Sequence, residues 1–117
     1  MSDLAGTSPI SFDDFLKVEM RVGEIVAVED FPRARNPSFK LRVSFGPEIG
    51  ERWSVAQATN YEREALIGMR VIAVINFPPK NIAGFASECL ILGVPGIDGQ
   101  VSLLTPSRPV ELGGRVY

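Results

Sequence analysis

The chain has 117 residues, a formal net charge of −2, one cysteine and no histidine. That length supports one domain around one core, and no apolar run nears the roughly 20 residues of a membrane span. A lone Cys89 excludes an internal disulfide, and the lack of histidine excludes Ser-His-Asp and Cys-His chemistry and leaves zinc without its usual ligands.

The opening "MSDLAGTSPISFDDF" has no cationic start and no apolar stretch of signal type, so a cytoplasmic location is expected. Residues 1–10 are expected to be an extended or disordered N-terminus, and residues 11–117 a single domain. Ser11 with Asp14 forms a capping-box pattern, with Phe12, Phe15 and Leu16 at helical spacing behind it. "MRVGEIVAVED" reads as the first strand, with Gly23 marking a bend or bulge, and "FPRARNP" as a loop. In "FKLRVSF", Phe39, Leu41, Val43 and Phe45 alternate with Lys40, Arg42 and Ser44, which predicts a strand with a core face and a wet face.

"GPEIGER" turns the chain into a third strand, "WSVAQAT". Thr59 and Glu62 suggest a second capping box ahead of a short helix in "NYEREALIG". "RVIAVINF" and "SECLILGV" are predicted as the fourth and fifth strands, apolar on both faces. The stretch "NFPPKNIAGFASE" between them reads as a stiff, proline-bounded loop, in which Phe77 and one of Ile82 or Phe85 are expected to pack inward. "GVPGIDG" carries turn signals rather than a dinucleotide cradle, and "VSLLTP" makes a short sixth strand. No phosphate-binding loop is present, and the paired carboxylates (Asp13-Asp14, Glu62 and Glu64, Glu48 and Glu51) fall in helices or surface loops. No enzyme, metal or cofactor is expected. Short strands, Gly/Pro-rich turns and one helix between the third and fourth strands indicate an all-β fold. It is read as a five-stranded OB-fold barrel with a short N-terminal helix and a C-terminal extension.

Charge is unevenly spread. Residues 1–30 hold seven acids against two bases, a net of −5, whereas residues 31–47 hold Arg33, Arg35, Lys40 and Arg42 with no acid, a net of +4. The basic stripe is local, and composition alone does not predict tight electrostatic binding to RNA. Cys89, within "ECLILGV", reads as a buried inert thiol, and Trp53 and Tyr61 read as core or rim.

The run "DDFLKVEMRVGEIVAVEDFPRARNPSFKLRVSFG" resembles the opening pattern of the tRNA-binding domain superfamily, Phe-x-Lys-Val-(Asp/Glu)-x-Arg-Val-Gly. "INFPPKNIAGFASECLILG" is similar to its second signature, an Asn-Phe-x-Pro-(Lys/Arg) turn followed by Gly-x-x-Ser-Glu. "GPEIG", "SVAQAT" and "NFPPKNIAGF" narrow the resemblance to the CsaA family of small export-related chaperones. It covers the chain from about Phe12 to the C-terminus. The resemblance implies an OB-fold homodimer that binds unfolded or export-destined polypeptides and the SecA export ATPase, without membrane insertion; relatives of this superfamily bind tRNA.

The residues expected at the ligand surface are Asn76, Phe77, Lys80, Ile82, Phe85, Ser87 and Glu88 from the second signature, with Arg33, Arg35, Lys40 and Arg42 from the basic stripe. Ser87 and Glu88 have an equally good reading as supports for local backbone. A lone barrel has little use for the amphipathic "SFDDFLKV" or the apolar tail "PVELGGRVY", so Phe12, Phe15, Leu16, Val110 and Val116 are expected at a dimer interface.

Overall fold

The computed structural model describes residues 7–117. In chain order it contains α1 (Phe12–Leu16), β1 (Met20–Asp30), β2 (Phe39–Ser44), β3 (Glu51–Ala56), α2 (Arg63–Leu66), β4 (Arg70–Val74), β5 (Lys80–Ile82), β6 (Phe85–Ser87), β7 (Leu90–Ile91), β8 (Gly93–Pro95) and β9 (Val101–Leu103). Of the predicted N-terminal segment 1–10, residues 1–6 lie outside the described residues, and 7–10 are exposed without regular structure.

Five strands make one antiparallel sheet in the order β3-β2-β1-β4-β7. The long β1 serves both halves of it. Met20 to Glu24 pair with β4, and Glu24 to Asp30 pair with β2, with the register slipping between Ile25 and Ala27. This bulge lies just past Gly23 and curls the sheet toward closure. Gly23 answers a different need: a Cβ there would overlap the side chains of Val43 and Phe45, so the glycine makes room for the inward side chains of the neighbouring β2 and the residue after it.

Closure is completed between β3 and the segment entering β7. The Glu88 N–H donates to the Trp53 carbonyl (2.8 Å), and the Ser54 hydroxyl donates to the Cys89 carbonyl (2.9 Å). The result is the nearly closed five-stranded OB barrel that the alternation predicted. Its core includes Ile25, Leu41, Val43, Phe45, Leu66, Val71 and Ala73, all essentially without solvent contact. The Ser11–Asp14 capping box is formed in both directions and starts α1.

Three expectations are corrected. "NFPPKNIAGFASE" is not a plain loop, because β5 and β6 pair as a hairpin around Ala83-Gly84. Both turn residues have positive φ (50° and 85°), and Asn81 Oδ1 accepts the Gly84 N–H at 2.9 Å, so a turn twisted to suit a hairpin replaces the loop. The second capping box does not form. Glu62, not Thr59, precedes α2 and makes no side-chain cap, because a turn from Ala58 to Tyr61 consumes the chain first. "SECLILGV" divides into β7 in the barrel and β8, which pairs with β9 in a hairpin outside it.

The C-terminal extension takes up the part of the β1 edge that β2 leaves free. Val22 N–H donates to Gly114 O (2.9 Å), Gly113 N–H to Val22 O (2.8 Å) and Val116 N–H to Met20 O (2.9 Å). The Arg115 guanidinium reaches the Leu16 carbonyl at 2.7 Å, so tail and α1 meet on one side of the barrel.

Candidate functional site

The outer face of β2 and β3 is where the basic stripe meets aromatic side chains. Alternation sends Lys40 and Arg42 outward, and the register places them opposite Val55 and Trp53. The β5–β6 hairpin folds back so that Phe85 sits edge-on to Trp53 (centroids 5.6 Å apart, 84°) and against Phe31 (5.8 Å, 62°). Lys40 Nζ lies 4.4 Å from the Phe85 ring centre and 4.9 Å from that of Phe31, while the Arg42 guanidinium lies 5.8 Å from the Trp53 ring. These distances are those of cation–π contact. The cations are thus held over ring faces instead of waving in solvent, and the wet face expected of β2 is half-buried. Arg42 Nε also stands 3.2 Å from the Glu51 carboxylate.

Arg33 and Arg35 are exposed in the β1–β2 loop, and Lys80 is exposed at the start of β5. None of the three lies within ion-pair distance of a carboxylate among the described residues. Arg35 borders a hollow of about 460 Å³ that also includes Phe31 and Phe39. Ile82 and Phe85 are half-buried. Phe77 is 53 % exposed, which overturns the expectation that it packs inward. β4 ends at Val74, and the two prolines that follow Phe77 keep the chain out of the ladder until β5, so the ring lies outside any strand.

Three other members of the second signature have clear local partners. The Asn76 amide accepts the Glu19 N–H (3.0 Å) and donates to the Lys17 carbonyl (2.7 Å), pinning the segment between α1 and β1. Ser87 Oγ accepts the Val55 N–H (3.1 Å), and Glu88 Oε1 accepts the Trp53 N–H (2.8 Å). These side chains satisfy β3 donors where no neighbouring strand is present. They bring β3 and the hairpin together, and so position Trp53 beneath Phe85.

Phe31 and Trp53 belong to this cluster although sequence reading did not single them out for it. For Trp53 the signal was the hairpin register opposite Arg42; Phe31 lies in a loop and offered none. Around α1 and the C-terminal tail, Phe12 (67 % exposed), Leu16, Val18 and Val110 are exposed, with Phe15 and Val116 half-buried.

Two titrating groups are displaced. The Glu19 carboxyl is held below its usual range, first by its hydrogen bond from Arg21 (2.7 Å) and further by the nearby Arg115 and Arg52 charges. Burial pushes the Cys89 thiol up to about 12, which keeps it protonated and unreactive. Among the described residues no three His, Cys, Asp or Glu side chains gather as metal ligands, and no helix is long and apolar enough to cross a membrane.

The chain is similar to two solved chaperones called CsaA. That of Picrophilus torridus is 48 % identical with a TM-score of 0.88, over 93 % of this chain and 100 % of that one. That of Bacillus anthracis is 43 % identical with a TM-score of 0.85, over 94 % of this chain and 100 % of that one. It is also 37 % identical over 109 residues to the methionine–tRNA ligase of Thermococcus kodakarensis, matching 92 % of this chain but spanning only 14 % of the ligase. Residues 20–115 match the family model of the tRNA binding domain. The match takes in nearly the whole barrel and the tail that seals β1, and on that ground the chain belongs to the tRNA-binding domain family.

Proposed function

We propose that this chain is a non-enzymatic, ATP-independent chaperone that binds unfolded or export-destined polypeptides as a cytoplasmic homodimer serving protein secretion. The observation that carries the reading is the Phe85–Trp53–Phe31 cluster roofed by Lys40 and Arg42, together with Arg33, Arg35 and Lys80, which are not ion-paired among the described residues. Aromatic and aliphatic side chains of a client gain contact on the rings, and client carboxylates gain it on the cations. Solved CsaA chaperones, matched over their whole length, support this class over a ligase appendage. SecA is a proposed partner on the family resemblance.

The homodimer is proposed from α1 and the tail. Phe12, Phe15, Leu16, Val110 and Val116 lie on elements that Arg115 ties together, and their apolar surface suits a second copy. Two equivalent sites would then raise the apparent affinity for a long client.

A second reading, tRNA binding, is favoured by the same cations beside the aromatic cluster and by the ligase relatives. The test is a titration with a labelled precursor polypeptide beside a gel shift with total tRNA, each at low and high salt on one preparation. The chaperone reading expects saturable precursor binding with a shallow salt dependence. Tight tRNA binding that falls steeply and linearly on a log–log salt plot, with no precursor binding, would replace it with the second reading.

A further inference from the structure

Trp53, Ser54 and Val55 of β3 are tied to Glu88, Cys89 and Ser87 in the segment entering β7. Past Val55 β3 and β7 part, and a groove of about 710 Å³ opens between the end of β3 on one side and β7 with the β8–β9 hairpin on the other. Backbone edges face into it from both walls. On β3, Trp53 and Val55 aim their N–H groups away from β2, toward Glu88 and Ser87, and Gln57, two residues after Val55 and just past the strand end, lines the groove.

Across the groove, Leu92 bonds outward in both directions: its N–H donates to Ile72 O (2.9 Å) and its carbonyl accepts from Leu104 N–H (3.1 Å). The alternate residues Ile91 and Gly93 therefore turn their N–H and C=O groups from β4 and β9 toward the groove. The Leu103 N–H confirms this register, because it bonds the Tyr61 hydroxyl (3.0 Å) instead of Gly93.

The chemistry of the walls selects an occupant. None of the lining residues is charged and none is aromatic, although the cationic face begins at Lys40, directly opposite Val55. A phosphate would meet no cation here and a nucleobase no stacking surface. The half-exposed Leu90 and Val94 offer apolar contact between the two edges. We infer that the groove takes one uncharged, extended polypeptide segment as an added strand lying between β3 and the β8–β9 hairpin. Three or four residues, at about 3.3 Å each, span the stretch. This deepens the polypeptide-binding reading and rests on it: the groove holds client backbone, while the ring cluster beside it meets client side chains.

The probe is a fluorescein-labelled, end-blocked peptide of alternating Val and Thr, compared with the same peptide N-methylated at alternate amides. The unmethylated form is expected to bind the full chain equally at low and high salt, and N-methylation to weaken it by about tenfold or more, because it removes strand hydrogen bonds while keeping the side chains. Gln57→Pro, which deletes one edge donor, and Val94→Asp, at an exposed position, should each weaken the unmethylated peptide by about tenfold. Either variant that folds serves, and the methylation comparison uses the unaltered chain.

Equal binding of both peptides, or a steep fall of binding with salt, would overturn the inference. So would absence of neutral-peptide binding. If a permanently unfolded protein client still bound in that case, the groove assignment alone would fall; if neither bound, the polypeptide reading would fall with it.

Discussion

Both ends of the Asn76 amide are engaged by the backbone around Lys17 and Glu19, so the asparagine that opens the second signature's turn sets the path of the chain into β1. Glu19 itself is clamped by Arg21, which in turn donates to the Gly113 carbonyl at 2.9 Å. The depressed Glu19 carboxyl has a stability consequence with a definite sign. Its contribution is fully present above the ordinary glutamate value of the unfolded chain and is lost as pH falls through the lower folded value. Glu19→Gln should therefore lower the thermal midpoint near neutral pH, and the gap to the unaltered chain should close in acid below the carboxylate range. A gap that stayed constant with pH would show that the Arg21 contact contributes through packing alone. At this scale the sequence was readable where a residue has one local role, as at the Ser11 cap. It was not readable where the partner is distant, as with Lys17 and Asn76.

The β5–β6 hairpin carries Phe85 to its place, and its turn contains a conformational cost. Ala83 holds φ at +50° with no side-chain compensation, in a position where asparagine is at ease. Ala83→Asn should stabilise the protein by about 0.5 kcal/mol, raising the thermal midpoint by about 2–4 °C. An unchanged or lowered midpoint would count against the strain. Glu88 works between elements. Glu88→Ala would leave the Trp53 N–H unpaired and loosen β3 from the hairpin, at about 1–3 kcal/mol. Thermal unfolding followed by the fluorescence of Trp53, the single tryptophan, reads this directly, because the ring is packed against Phe85.

The elements themselves were legible in proportion to their periodicity. β2, with strict alternation, appears as read, with Phe39, Leu41 and Val43 buried. The hairpin escaped because its prolines dominate the pattern while its turn uses Ala-Gly, a weak turn signal. The Thr59 cap failed because the Ala58–Tyr61 turn competes for the same residues.

At the scale of the molecule, the acidic segment and the basic stripe that follows it end up on one small barrel, and tail and α1 converge on the side where Phe12 is exposed. Phe12→Asp and Leu16→Asp should convert the proposed dimer to a stably folded monomer, seen as a halved mass by light scattering at micromolar concentration. A monomer mass for the unaltered chain would contradict the dimer. The barrel was readable from strand count, helix position and turn chemistry. The ring cluster was not, because it is assembled from β2, β3, β6 and the β1–β2 loop, whose meeting depends on closure through Ser87 and Glu88.

The central claim, that this surface binds non-native polypeptide largely through apolar contact, is tested most directly by calorimetric titration of a soluble, permanently unfolded client at several temperatures. The expected result is saturable binding with a negative heat-capacity change and a small response to salt. Absence of binding, or a heat-capacity change near zero with a steep salt dependence, would contradict it.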